Sequence, residues 1–488
     1  MKMKNIIYIL PFILLFPMGC DDDLNLTPES VITVSSFFQN EDDARSAAAG
    51  IYSGVRAISN NLYIYGDERA DNTEQTDLGT GNDANRNTIK STTGGADWSG
   101  FYNILKDANN VIARVPDVSF TNETEKNRIL GEAYFIRAWT YFMMARIWGD
   151  VPLVLVPISS PGQPEAQPDG RDPVAAVFTQ IKADIESSLS FFPDNAISDR
   201  YRASKPAANM LKAEVFLWTS KLQGGGTSDL NTAQSAIDEV IGHADLSLQP
   251  DYKAMFAKTS ATEEDIFSLY RDIIEGGSLF ATRYNVSDSF WANLSEEDKA
   301  VIPFVSGSVR FYTTTQIFRD QIIANANGNT DPREAIYFLE YTDPSGDPRH
   351  IMNKYEGESV GTNVNQMTDD FKVYRYADAI LIKAEIENAL GNTSVAIANL
   401  NLIRNRVGIG NYPGASTTEA VDDAILQERG IELAFEAKRF FDLVRFGKAY
   451  ELVPSLIGRE TEQPILWPIT VGTRSLNPSL QQTPGYTD

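Results

Sequence analysis

The chain has 488 residues, 42% of them hydrophobic and 22% charged, and a formal net charge of -24. Such a chain can bury a large core, and its acidic balance excludes nucleic-acid binding, which needs a basic face against phosphate. One cysteine, Cys20, excludes an intrachain disulfide and a cysteine metal site, while two histidines, His243 and His350, leave almost no material for a Ser-His-Asp relay and read as surface or packing residues.

Lys2 and Lys4 precede an apolar run over residues 6–18. That run has the form of a signal peptide and is too short to span a hydrocarbon layer of roughly 30 Å. It ends at Pro17-Met18-Gly19-Cys20, which resembles a lipobox with Pro17 in place of the usual leucine. Residues 1–19 are therefore expected to be removed, Cys20 to carry the lipid, and residues 20–39 to form a tether. Several acyl chains, each contributing roughly 0.8 kcal/mol per buried CH₂, hold a protein on a membrane without a spanning helix.

Ala44, Ala47, Ala48, Ile51, Tyr52 and Val55 recur at three- and four-residue spacing behind a capping Asn40, which predicts a helix over 40–59. A second helix is predicted over 98–115. The segment between them, 60–95, is rich in Asn, Asp, Thr and Gly and carries Tyr63, Tyr65, Asp67, Arg69 and Asp71. It reads as a disordered excursion or as a functional loop on a rigid scaffold.

The strongest pattern has one apolar stripe through Ile129, Ala133, Ile136, Thr140, Met143 and Ile147 and a second through Leu130, Tyr134, Ala138, Tyr141, Ala145 and Trp148. A helix apolar on two flanks packs between neighbours. Gly149 and Pro152 end it, and 151–157 runs extended. Further helices are predicted over 173–192, 206–222, 230–242, 374–390, 394–407 and 418–447. In the last of these, Glu436 and Arg439, Lys438 and Asp442, and Asp442 and Arg445 stand three or four apart with opposite charge.

Two hairpins open alike, with Leu211-Lys212-Ala213-Glu214 and Ile382-Lys383-Ala384-Glu385, and resemble tetratricopeptide units. The expected fold is mainly α: tetratricopeptide-like hairpins forming a scaffold over 40–242 and 373–488, with a loop-rich irregular lobe over 243–372 and few short strands. Residues 40–488 are read as one unit. Trp148, Trp218 and Trp467 fall in scaffold segments and read as core.

The string from Ile136 to Phe142, followed by Trp148-Gly149-Asp150-Val151-Pro152, resembles the SusD/RagB family. So do Tyr374-Arg375-Tyr376-Ala377-Asp378, Ile403-Arg404-Asn405-Arg406, Glu428-Arg429-Gly430-Ile431-Glu432, Lys438 to Leu443, and Leu466-Trp467-Pro468-Ile469 with Asn477-Pro478. The start of the mature chain at 24–28 is similar too, and Asp21-Asp22-Asp23 resembles a surface-export signal of Bacteroidetes-type lipoproteins.

The resemblance implies an outer-membrane lipoprotein facing the cell exterior. Such a protein holds an oligosaccharide over a SusC-like TonB-dependent transporter and catalyses nothing. A peptide receptor of the RagB type and a purely structural lid are the alternatives. Sugar recognition needs flat apolar faces beside planar polar side chains. Segments 63–71, 98–103 and 280–291 supply this mix, and the family places its ligand on loops near them. The candidate ligand residues are Trp98, Asn103, Asp71, Tyr284 and Trp291.

A glycosidase would need two carboxyls roughly 5–9 Å apart, one with a raised pKa. Glu263-Glu264 and Asp369-Asp370 sit in polar runs that read as solvated surface. No Asp-x-Asp-x-Asp-Gly loop followed by Glu is present, so no metal site is expected, although calcium stays open among so many carboxylates. The acidic balance disfavours sulfated or uronic glycans.

Overall fold

The computed structural model describes residues 37–76, 82–159, 163, 168–257, 261–275, 279–306 and 310–487. Cys20, the leader and nearly all of the tether lie outside the described residues.

Helix α1 (Glu41–Ala57) starts at Asn40, whose side chain accepts from the amides of Asp42 and Asp43 while Asp43 accepts from the Asn40 amide, closing a capping box. There follow α2 (Ser99–Arg114), α3 (Glu123–Trp148), α4 (Val174–Phe191), α5 (Lys205–Leu222) and α6 (Gly226–Ile241). Helix α7 (Gln316–Asn325) lies in the lobe, and α8 (Tyr376–Ala389), α9 (Thr393–Arg406), α10 (Thr418–Glu432) and α11 (Arg439–Arg445) complete the scaffold. Each of α2 to α6 packs on its predecessor, α6 packs on α8 across the lobe, and α8 carries α9 and α10. The architecture is thus mainly α and built of stacked hairpins, as expected. Helix α3 is buried on nearly every side from Ile129 onward because neighbours flank both its stripes.

The strands are short and paired: β1 (Thr73–Gln75), β2 (Asp265–Leu269), β3 (Tyr312–Thr314), β4 (Leu339–Thr342), β5 (Pro348–Ile351), β6 (Glu358–Gly361), β7 (Val364–Gln366) and β8 (Phe371–Arg375). The pairs β1–β3, β2–β8, β4–β5 and β6–β7 are all antiparallel. In the β2–β8 ribbon Asp265 stands opposite Arg375 and Leu269 opposite Phe371, so the two ends of the lobe leave the scaffold side by side.

Segment 60–75 is not a surface loop. A short helix (Ser59–Tyr63) runs into one π-helical turn (Ile64–Glu68), and Tyr63, Tyr65, Asp67, Arg69 and Asp71 are all buried. Arg69 donates to the Ile465 carbonyl at 2.7 Å and lies over the Phe440 ring, while Asp67 accepts from Asn72 and from the amides of Phe435 and Ala437. The polar letters that suggested a loop are interior hydrogen-bonding groups, and for Asp67, Arg69 and Asp71 decisive partners lie more than three hundred residues away in sequence.

The predicted helix over 418–447 is broken. Phe435 and Ala437 adopt φ of 65° and 59°, a left-handed backbone that costs a non-glycine residue of order 1–3 kcal/mol and persists only where its surroundings over-determine it. Asp67 pins both amides, and a Cβ on Gly66 would overlap the Ala437 backbone. The break redirects the charges. Glu436 pairs with Lys354 and Arg375, Lys438 with Asp378, and Arg439 with Asp71; of the three expected helical pairs only Asp442–Arg445 forms, at 2.8 Å.

Glu436 belongs to a buried assembly. Arg375 contacts Glu264 at 2.7 Å, Glu432 at 2.6 Å and Glu436 at 2.8 Å. Arg406 bridges Glu264 and Glu432, Arg333 bridges Asp331, Glu428 and Glu432, Arg404 faces Glu428, and Lys354 holds Glu436. Both Glu264 and Asp369, expected in solvent, are buried: Glu264 takes two guanidiniums, and Asp369 accepts from the amides of Glu356 and Gly357. His350 packs on the Phe338 ring between Thr313 and Thr314, and burial pushes its pKa down to about 4.

Removing one partner of a buried ion pair costs about 3–5 kcal/mol. Arg375→Met, which takes one cation from three carboxylates and leaves each with its remaining partner, should lower unfolding stability by about that amount in urea titrations; a change under about 1 kcal/mol would remove the assembly from the stability account. Acid should act on the same charges. Burial disfavours the Asp378 carboxylate, but Lys438 and Arg429 outweigh it and hold the pKa down to about 2; the same contest leaves Glu432 well below the usual range. Groups held down contribute stability above an unfolded value of about 4 and lose it as pH falls below that. Asp67 acts oppositely, since burial raises it to about 6, so its contribution is full below about 4 and is lost as pH rises through about 6. The melting temperature should therefore drop steeply only below about pH 4, and a level profile down to about pH 2 would contradict the ion-pair account.

Candidate functional site

The C-terminal segment reaches back to the end of α3. Trp467 donates its amide to the Ile147 carbonyl at 2.7 Å, and Trp148 donates its indole N–H to Pro468 at 3.2 Å. Gly149, at φ 76°, leaves no space for a side chain, since a Cβ would come within 2.8 Å of Leu466. Around this junction Tyr65, Trp98, Phe101, Trp148 and Trp467 meet with ring centroids 5.1–6.1 Å apart, edge to face except for the tilted Tyr65–Phe101 pair. The two tryptophan-proline motifs at 148–152 and 466–469 are thus two sides of one contact.

Above this aromatic knot lies a cleft of about 400 Å³. Its floor is Trp98, the residue preceding α2, and Tyr102 in the first turn of that helix. The extended stretch through Pro152, Val154 and Ile158 also lines it, as do Leu476, Asn477 and the buried Leu480 from the C-terminal segment. The extended stretch is fixed by side chains: Tyr102 donates to Pro152 at 2.9 Å, Asn109 and Tyr141 donate to Val154 at 2.8 and 3.0 Å, and Asn110 donates to Ile158. Leu476 is 90% exposed, and Lys106 and Thr473 add the polar groups. A rigid, largely apolar trough with a few peripheral polar groups suits a ligand that presents a flat C–H face and polar edges.

Of the five candidate residues, Trp98 lines this cleft, although only 4% of it is exposed. Asn103 is exposed on the same helix but does not line the cleft. Asp71 is buried and bonded through both oxygens to Arg439, with Gln321 on one of them. Tyr284 is buried against Tyr63 and Thr73. Trp291 is half-buried in the lobe's own small core, with the Lys299 amine 5.4 Å from its ring centre. These side chains do not converge. The periodicity marks an aromatic helix start, but the cleft needs segments near 100, 154 and 476 together, which no local pattern reveals.

A model of the SusD family matches residues 346–460, and a second, described as starch-binding and associating with the outer membrane, matches residues 33–217. The chain belongs to the SusD family. Its SusD-like relatives include P38 of Formosa agariphila, 27% identical over 99% of this chain and 100% of that one. Among solved structures, B. fragilis NanU superposes with a TM-score of 0.78 at 28% identity, covering 95% of this chain and 100% of that one. A laminarin binding SusD-like protein shares the fold, with a TM-score of 0.69 and 22% identity over 92% of this chain and 100% of that one. SusD-like proteins are binding proteins, and the family model ties them to the outer membrane. Among the described residues no helix is long and apolar enough to cross a membrane, and no cluster of three or more His, Cys, Asp or Glu could hold a metal ion.

Asp71→Ala should behave as a core lesion. It should lose about 3–5 kcal/mol of stability, while the folded fraction keeps any ligand affinity of the parent; a selective loss of affinity at parental stability would return Asp71 to a ligand site.

Proposed function

We propose that this chain is a lipid-anchored SusD-like protein at the cell exterior. In this reading it binds an oligosaccharide in the Trp98 cleft, hands it to a SusC-like TonB-dependent transporter, and catalyses no step. The observation that carries the reading is an aromatic-floored, rigid cleft in a chain whose residues 33–217 match a starch-binding family model. The sequence around Cys20 supports the lipid anchor, with Asp21 to Asp23 behind it as the export signal.

The chemistry fits a neutral glycan. Trp98 and Tyr102 offer apolar surface for the C–H face of a sugar ring, and Lys106, Thr473 and Asn477, which line the same cleft, supply polar groups for its hydroxyls. Glu264 and Asp369, the buried members of the two acidic pairs, do not line the cleft, so the reading assigns no acid–base role to them.

The test is a glycan array on the soluble form starting at Asp21, with starch and laminarin fragments included, followed by calorimetry on each hit. Trp98→Ala should weaken binding by about 1–3 kcal/mol, and Leu476→Asp, at a side chain with almost no packing to lose, should weaken it with the melting temperature unchanged. Binding of peptides and no glycan would instead favour a RagB-type receptor, and binding of neither would favour a structural lid.

A further inference from the structure

A second concavity, of about 300 Å³, lies between α1, the first turns of α3 and the segment joining α4 to α5, and shares no lining residue with the Trp98 cleft. Three guanidiniums line it, from Arg45, Arg128 and Arg202, each with a carboxylate mate, and a fourth carboxylate, Asp199, lines it beside them and accepts from the Tyr201 amide. Arg45 grips Glu125 through two parallel bonds of 2.6 and 2.7 Å. Arg202 holds Glu132 at 2.5 Å, and Arg128 reaches Asp194 at 3.5 Å.

The site is built rather than incidental. Glu132 is only 3% exposed, the Arg202 guanidinium lies 4.5 Å from the centre of the Tyr52 ring, and the Tyr52 hydroxyl accepts from the Ala203 amide at 2.9 Å. Phe192 forms an apolar wall, its ring pressed against Gly131, where a Cβ would already come within 3.2 Å. An aromatic wall thus faces a ring of planar donors and acceptors held in place by mutual pairing.

That pairing selects the ligand. An anionic guest would have to take a guanidinium from its carboxylate, leaving that charge without its partner, and would meet the further negative charge of Asp199. A neutral guest rich in hydroxyls can bond to the outer N–H groups and lone pairs while the pairs stay intact, and can lay its C–H face on Phe192. The volume suits one sugar-sized ring. We propose that this pocket is a second binding site, for a neutral polyhydroxylated molecule of monosaccharide size and not for an anionic one. The proposal stands whether or not the Trp98 cleft binds glycan.

The test is saturation-transfer NMR and titration on the soluble chain from Asp21, with glucose, galactose and mannose as probes and glucuronate and glucosamine as charged counterparts. At least one neutral hexose should bind saturably. Arg128→Ala, a rim residue with one long contact, should weaken that binding about tenfold, and Ala196→Trp, at an exposed lining position, should abolish it, with thermal melts confirming that both variants fold. Binding by none of the neutral hexoses, tighter binding of a charged counterpart, or binding untouched by both variants would overturn the proposal. A loss caused by Leu476→Asp instead would place the sugar in the Trp98 cleft and would also overturn it.

Discussion

Arg375 is the point on which the two halves of the molecule turn. It ends β8 and stands immediately before α8, and its guanidinium joins Glu264 at the edge of β2 to Glu432 at the end of α10 and to Glu436 beyond it. With Arg333, Arg404, Arg406, Lys354, Glu428 and Asp331 this makes a chain of charges almost wholly out of water. Ions taken from water must be met by partners in good geometry or the fold loses free energy. The lobe and the helical scaffold are therefore held in one relative placement, because a small shift would leave several charges unmatched at once.

That demand explains the left-handed residues after α10. Glu436 reaches Arg375 and Lys354 only because the helix stops at Glu432 and the chain turns sharply through Phe435 and Ala437. A continued helix would have sent these charges along its own surface. The turn is held open by Asp67, a carboxyl that burial raises to about 6, from a segment far away in sequence. Local strain, a perturbed carboxyl and the long-range ion pairs are three aspects of one arrangement. Because the interior charges pair off, most of the excess of -24 falls on the surface, where it favours solubility and disfavours anionic guests.

The aromatic knot plays the corresponding part at the other end. Trp148 and Trp467 are joined by main-chain and indole hydrogen bonds, and Tyr65, Phe101 and Trp98 close around them. The tryptophans of the family motifs thus serve the scaffold, and only a small part of Trp98 is left to face a cleft. The two concavities are margins of a packed core, which limits how many aromatic side chains they can present.

The sequence by itself determined the helices, because three- and four-residue spacing acts within one element, and it determined the interior place of Trp148, Trp218 and Trp467, since large apolar groups in such stripes have nowhere else to go. Its motifs carried the family. What only the tertiary structure decided is the fate of the polar residues: that 60–75 is core, that 418–447 is two helices, that Glu264 and Asp369 are buried, and that Asp71 and Tyr284 face inward. The physical reason is that an acid or an arginine can be buried only where a counter-charge arrives from elsewhere in the chain, and a local pattern carries no record of that arrival. The same holds for the two concavities, each of which exists only where segments far apart in the chain come together.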